Sequence, residues 1–251
     1  KLSHKYFTKN LSKAVKQIDD IRDRIFNHSK NSVNGFSVTK NNKLRIMHIT
    51  NFADRHNGRL FFVSIGQKLS RGFVKSGHSV LNFSDRDMMR IGRGVLDIFG
   101  KKSLNKKIIS TVKNYNPDML LIGHADLIYS STLEELKYFN KNLKIAQWFE
   151  DPLINSGPDF DENTKKVLDK LDFIDNTFVT TSPDVLDFDV NGSNFHYMPV
   201  PVDDSVERLK VFESSNPIYD VFFAMSHGVN RGVLKRGKKD GREEFLENVI
   251  K

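Results

Sequence analysis

Short apolar runs alternate with helical segments between residues 43 and 203, and this alternation restricts the fold more than any other feature. The runs are 43–49, 78–83, 118–123, 144–149, a fifth within 173–181, and 195–198. Their length and apolar content are typical of strands buried on both faces of a parallel sheet. Helical spacing fills 60–75, 104–115, 130–140 and 161–171, with Gly77 as a stop signal and Ser131–Glu134 spaced as a capping box. The pattern predicts a doubly wound, Rossmann-like α/β domain.

The chain divides into four predicted parts. Residues 1–42 are a helical extension and linker, in which the apolar side chains of 8–28 share one helix face that is expected to pack on the main domain. Residues 43–203 are the α/β domain, and 204–217 are a polar connection. Residues 218–251 begin a second domain with the apolar run 219–225 and a helical stretch at 241–250. A lone strand and helix cannot bury their apolar faces, so this second domain is expected to continue beyond Lys251.

Composition and charge exclude several classes of protein. The chain has no cysteine, which removes disulfides and thiolate metal sites and is compatible with a reducing compartment. No run of 18 apolar residues is present, so a cytoplasmic protein is expected. The net charge of +8 is distributed as +6 over 1–42, −1 over 43–227 and +3 over 228–251. The neutral body argues against a nucleic-acid partner. Solvated lysine-rich ends are the favoured reading of the termini, and peripheral contact with an anionic membrane on its inner face, or with a phosphorylated ligand, is the alternative.

Polar loops follow the predicted strands at the end where parallel sheets bind ligands. The residues of interest in these loops are His56, Asn57, Gly58, Arg59, Asp85, His124 and Asp151. Gly58 stands alone, without the spacing of a dinucleotide fingerprint or of a Walker loop. There is no nucleophile elbow, and the histidines are too dispersed for a metal site, so no metal is expected.

Individual residues in these loops allow two readings each. His56 is a candidate general base, or a surface histidine without a role. Asp151, held extended before Pro152, is suited to bind sugar hydroxyls or take a proton from one, or it simply ends a strand. Trp148, inside an apolar run, is expected in the core rather than as a stacking platform.

The C-terminal piece has a donor-rich loop of its own. Ser226, His227, Gly228 and Arg231 follow the apolar run 219–225, and Arg242 adds positive charge. Such a loop holds phosphate through backbone N–H groups and an arginine, or it is a solvated basic loop.

Taken in order, six segments of the chain resemble GT-B glycosyltransferases of the spore-maturation-protein-like group. The segments are Ile46–Phe52 with Asn57–Phe62, Gly77–Leu81, Asn116–Gly123, Ile145–Pro152, Phe178–Ser182 and His196–Asp203. The resemblance covers 43–251, that is, the N-terminal domain and the beginning of the C-terminal one.

This resemblance implies a metal-independent enzyme with two Rossmann-like domains and no cofactor, which moves a sugar from a nucleotide-sugar donor to a glycan or lipid-linked acceptor. It implies that His56 and Asp151 are catalytic, that Asn57, Gly58, Arg59, Asp85 and His124 contact the acceptor, and that the 226–231 loop and Arg242 contact the donor. The product would be a cell-surface glycan or glycoconjugate. The alternative from the residues alone is a non-catalytic α/β binding or assembly module with basic ends.

Overall fold

The computed structural model describes residues 43–55, 63–157, 159–190, 193–210 and 241–250, together with Lys16, Glu213 and Asn216. The chain forms two compact units, Lys1–Glu207 and Arg208–Lys251. In the second unit the described element is a helix, Gly241–Ile250, at the position where the sequence predicts one. The predicted extension helix at 8–28 and the predicted strand at 219–225 lie outside the described residues. Across the described part of the chain, no helix is both long and apolar enough to cross a bilayer.

Six strands of the first unit form one parallel sheet, which confirms the predicted α/β class. They are β1 (Arg45–Thr50), β2 (Ser79–Ser84), β3 (Met119–Gly123), β4 (Lys144–Phe149), β5 (Asn176–Val179) and β6 (Phe195–Tyr197). Their order is β2-β1-β3-β4-β5-β6, and every neighbouring pair is parallel. The strand order therefore reverses between β1 and β3, which is the point where open parallel sheets form their ligand crevice.

Helices connect the strands. They are α1 (Ile65–Lys75), α2 (Asp85–Ile91), α3 (Lys101–Tyr115), α4 (Ser130–Phe139), α5 (Phe160–Leu168) and, in the second unit, α6 (Gly241–Ile250). Short 3-10 turns occupy Ala125–Leu127, Leu171–Phe173 and Pro183–Val185. One core lies between the sheet and α3 and α4, where Ile49, Leu104, Ile108, Leu120 and Leu133 are fully buried. The opposite face carries a second cluster around Ile46 and Trp148, against which Leu69 of α1 packs.

The end of α1 follows the predicted stop signal. Gly77 has φ +84, the left-handed conformation that costs glycine little. Its N–H donates to the Val74 carbonyl, and the His78 N–H donates to the Phe73 carbonyl at 3.0 Å. These two bonds are the Schellman arrangement, which satisfies the last carbonyls of the helix and turns the chain into β2.

Two local predictions are wrong. The stretch 84–87 was expected to be a loop, but Asp85 begins helix α2, because two carboxylates in the first turn favour a helix N-terminus. The capping box at Ser131 and Glu134 does not form. Helix α4 begins at Ser130, and its N-cap is Tyr129, two residues before Ser131; the Tyr129 N–H donates to Asn105 Oδ1 at 2.9 Å.

Residues 203–207 are tied to α1 by a network of charges. Asp203 receives bonds from Arg71 at 3.1 Å and from Lys75 at 3.0 Å, and Lys68 pairs with Glu207 at 2.6 Å. Asp203 is almost fully enclosed, and hydrogen bonds from Ser205 and Lys75 lower the pKa of its carboxyl group well below the usual range. The network fixes this segment against the sheet domain after β6.

Candidate functional site

The candidate site is built on a buried polar chain between β1, β4, α1 and β2. Trp148 Nε1–H donates to His48 Nε2 at 2.9 Å, and His48 Nδ1 lies 2.8 Å from Ser70 Oγ. Because the indole N–H donates to Nε2, the imidazole proton must be on Nδ1 and must point to Ser70. The Ser70 hydroxyl in turn donates to Asn82 Oδ1 at 2.8 Å. Trp148 is therefore a core residue, as predicted, with its polar group satisfied inside the core.

The loops at the carboxyl ends of the strands bond to one another in sequence across the sheet. The Asp54 N–H donates to Asp87 Oδ2 at 2.8 Å and joins the loop after β1 to the start of α2. Arg86 donates from one guanidinium nitrogen to both carboxylate oxygens of Asp126, at 2.9 and 2.8 Å. This ion pair crosses the end of β1, so it spans the point where the strand order reverses.

The loops after β3, β4 and β5 meet in the same way. His124 Nε2 lies 2.9 Å from Glu150 Oε2. Glu150 Oε2 is buried, and its contact with His124 is an ion pair when the imidazole is protonated. The Thr180 hydroxyl donates to the Glu150 carbonyl at 2.8 Å, and the Leu153 N–H donates to Thr181 Oγ1 at 3.1 Å. The described polar residues that follow β1, β2, β3, β4 and β5 thus form one continuous edge.

The backbone at His124 is held in an unfavourable conformation. Its φ of +50 is left-handed, a region that a residue with a side chain adopts at a cost of about 1–3 kcal/mol. Gly123 before it packs so closely on Trp148 that an added Cβ would lie 2.4 Å from the indole. The imidazole is stacked at an angle on Phe149, with ring centroids 4.8 Å apart. Such strain is typical of residues that a site must hold in one orientation.

Carboxylates dominate the electrostatics of this edge. Burial lowers the pKa of His124, but attraction to Glu150, Asp151 and Asp126 outweighs it and raises that pKa above its ordinary value. Burial raises the pKa of Asp151, while His124 opposes the rise and Glu150 adds to it. Burial also raises the pKa of Asp85 to about 6, against the opposing effect of Arg86.

These shifts change how readily the groups of the edge bind protons. A half-buried carboxylate with a raised pKa, such as Asp151, is a stronger base than an ordinary aspartate and can take a proton from a hydroxyl. His124 carries positive charge over a wider pH range than a free histidine, and this charge balances Glu150. The described residues contain no group of three or more side chains arranged to hold a metal ion.

The structure brings three predicted site residues to this edge: Asp85, His124 and Asp151. Asp85 is enclosed, at 3% exposure, so it acts on the edge through its charge rather than by direct contact. His56, Asn57, Gly58 and Arg59 lie outside the described residues, as do Ser226, His227, Gly228 and Arg231. Arg242 is in α6, where its side chain is not described.

Sequence reasoning did not select Arg86, Asp126 or Glu150 as site residues. All three lie directly after β2, β3 or β4, so the same strand-end rule that pointed to Asp85, His124 and Asp151 also covers them. The rule does not predict which of these side chains bond to each other, since Arg86 and Asp126 are 40 residues apart in sequence. The chain matches no protein-family model and no curated protein.

Proposed function

We propose that this chain is a glycosyltransferase of the GT-B type, in which the described α/β domain binds the acceptor at the carboxyl edge of its sheet. The observation that carries the proposal is the His124–Glu150 ion pair next to Asp151, whose carboxyl group has a raised pKa. A base of this strength beside a fixed imidazole suits the removal of a proton from an acceptor hydroxyl.

The charge of the edge supports the assignment to an acceptor rather than to a nucleotide. Six carboxylates lie at this edge, on Asp54, Asp126, Glu150 and Asp151 in the strand connections and on Asp85 and Asp87 in the first turn of α2. Arg86 and His124 are already engaged with Asp126 and Glu150. A diphosphate is repelled by such a surface, whereas sugar hydroxyls find strong acceptors there. The nucleotide part of the donor is therefore assigned to the basic 226–242 segment, as the resemblance implies.

The proposed reaction transfers one glycosyl group. Asp151 takes the proton of the acceptor hydroxyl as its oxygen attacks the anomeric carbon of the donor. The bond from that carbon to the diphosphate breaks, and the nucleoside diphosphate leaves with the bonding electron pair. His124 holds Glu150, the neighbour of Asp151, in place and opposes protonation of Asp151 before the hydroxyl arrives. His56, in the loop after β1, remains a second candidate base.

The test measures nucleoside-diphosphate release by the full chain over a panel of uridine, guanosine, thymidine and cytidine sugar donors, with and without candidate acceptors. Asp151→Asn should lower kcat by about 10²–10⁴-fold, the usual contribution of a general base, with little change in KM. Asp172→Asn, at an exposed carboxylate in the Leu171–Phe173 turn, is the matched control and should retain full activity.

The non-catalytic binding module remains the competing reading, and saturation-transfer NMR with free sugars separates the two. Binding of sugars that weakens in Asp151→Asn supports an acceptor site. If no donor is consumed and no sugar binds, the glycosyltransferase proposal is refuted and the module reading is favoured. Wild-type turnover in Asp151→Asn would remove that residue from the mechanism.

A further inference from the structure

The last residue of α2 and the loop that connects α2 to α3 expose a concentration of large apolar side chains. These are Ile91 at 59% exposure, Val95 at 95%, Leu96 at 94%, Ile98 at 73% and Phe99 at 75%. Single exposed apolar residues are common on proteins, but five within nine residues are a concentration, although Gly92, Arg93, Gly94 and Asp97 interrupt them. We call residues 91–99 the apolar loop.

The apolar loop contains a tight turn that backbone hydrogen bonds close. Gly94 and Asp97 exchange two backbone hydrogen bonds of 3.1 Å, which closes a tight turn with Val95 and Leu96 at its tip. Turn tips normally carry glycine, asparagine, aspartate or serine, so two aliphatic residues there have no folding rationale. Gly100, which follows the loop, has φ +73 and packs on the Met89 carbonyl. The Cβ of any other residue at this position would clash with that carbonyl.

The charges around the apolar loop are almost all positive. Between residues 88 and 107 the basic residues are Arg90, Arg93, Lys101, Lys102, Lys106 and Lys107, and the one acidic residue is Asp97. Asp97 turns inwards, where its Oδ2 accepts the Ser103 N–H at 2.7 Å. This bond and neighbouring helix N–H groups lower the pKa of its carboxyl group. The helix N-terminus offsets its negative charge, and the outer surface is left apolar at the tip and basic around it.

We propose that the apolar loop is a membrane-docking element, which inserts Val95, Leu96 and Phe99 into the interface of an anionic lipid bilayer while the surrounding lysines and arginines contact the headgroups. An apolar tip flanked in sequence by basic residues is complementary to such a surface in both polarity and charge. A second copy of the chain fits the loop less well. A twofold contact would bring the same basic residues of both copies together, and one turn tip covers far less than the ~800 Å² per partner of a stable interface.

The docking element adjoins the candidate site. Lys101, the first residue of α3, donates to the Asp126 carbonyl at 3.1 Å and lies 5.0 Å from the centre of the Tyr129 ring. The base of the apolar loop is therefore joined to the turn after β3 that carries Asp126. The proposal does not rest on transferase activity, because it concerns binding alone.

The test uses flotation of the full chain with vesicles of phosphatidylcholine and phosphatidylglycerol, and with vesicles of phosphatidylcholine alone. We expect binding to the anionic vesicles that weakens with salt. The double variant Val95→Asn/Leu96→Gly places ordinary turn residues at the tip, so it keeps the fold and should reduce partitioning at least about tenfold. Tyr138→Asn, at an 85% exposed aromatic on α4, is the matched control and should bind as the wild type does. Arg93→Gln/Lys102→Gln should reduce binding about fivefold per charge.

The absence of cysteine allows a direct probe of insertion. An environment-sensitive fluorophore on Leu96→Cys should shift to shorter wavelength with anionic vesicles, and the same fluorophore on Tyr138→Cys should not. Failure of the full chain to bind anionic vesicles at low salt overturns the proposal. Undiminished binding by Val95→Asn/Leu96→Gly overturns it as well and assigns the contact to the basic ends. Self-association in sedimentation that this variant abolishes, without vesicle binding, would identify the loop as a contact between copies.

Discussion

The burial of His48 predicts how the free energy of unfolding depends on pH. His48 is fully enclosed, and its polar partners Trp148, Ser70 and Asn82 are uncharged, so no carboxylate stabilises an imidazolium there. Burial lowers the pKa of His48 from 6.5 to about 3. The folded state therefore stays neutral at this position while the unfolded chain takes up a proton below pH 6.5, and stability is lost as the pH falls from 6.5 towards 3.

The size of this loss follows from the pKa difference. Each unit of pH below 6.5 removes about 1.4 kcal/mol of unfolding free energy, until His48 is protonated in the folded state as well. Lowering the pH from well above 6.5 to roughly 4.5 should remove about 2.7 kcal/mol, a large share of the ~5–15 kcal/mol that holds a domain together. His48→Gln cannot titrate and should lack this component, although it is less stable than the wild type at neutral pH.

The assay is urea denaturation followed by the fluorescence of Trp148, the single tryptophan of the chain. The informative quantity is the difference in unfolding free energy between wild type and His48→Gln at each pH, because the other titrating groups largely cancel in it. Ser70→Ala is the control. It leaves the buried His48 N–H without a partner and should cost about 1–3 kcal/mol at every pH without changing the slope. A difference between wild type and His48→Gln that stays constant from pH 7 to roughly pH 4.5 would refute the reasoning, because the imidazole would then not be held neutral by burial.

Three further outcomes follow from other contacts. Asp85→Asn should raise the unfolding free energy by up to about 3 kcal/mol above pH 6, because burial holds the pKa of that carboxyl group near 6 instead of 3.8. In the same urea assay this gain should vanish below about pH 4, where the carboxyl group is protonated in both the folded and the unfolded state. Asp203→Ala should lower Tm at neutral pH, and the loss measured by calorimetry should fade as the pH falls below the unfolded pKa of 3.8, since the folded pKa is depressed. Gly123→Ala should destabilise by about 1–3 kcal/mol, because its Cβ would press on Trp148, whereas Gly72→Ala in α1 meets nothing within 4 Å and should be neutral or stabilising.

The sheet could be predicted from sequence because its strands are buried on both faces. Residues 119–123 and 145–149 are uninterrupted apolar runs, apart from the buried Gln147, and both are strands at the predicted positions. Helix α2 could not be predicted in the same way. It has only seven residues, too few for one face to repeat, and its first turn Asp85-Arg86-Asp87 has the polarity of a loop.

The site could be predicted as a location but not as a set of contacts. The strand-end rule places His124 and Asp151 at one edge, and they lie there. The bond between Trp148 and His48 joins residues 100 positions apart, and nothing in the local sequence indicates it. The capping-box prediction failed for the same reason, because Asn105, 24 residues away, satisfies the start of α4 instead.

The buried charge of Asp85 bears on the function of the edge. An asparagine would accept the same Arg86 N–H bond and avoid the cost of an ionised carboxyl group at 3% exposure. Folding therefore gains little from an aspartate here, because the cost of burying its charge offsets the favourable position of that charge at the N-terminus of α2. Its negative charge does act on the site, because it lies among Arg86, Asp126 and His124 and affects the balance of charge between them. A buried charge that lowers stability beside a ligand crevice is typical of a functional residue. Asp85→Asn should accordingly increase stability while it weakens binding or turnover at the edge, and a variant improved in both respects would remove Asp85 from the site.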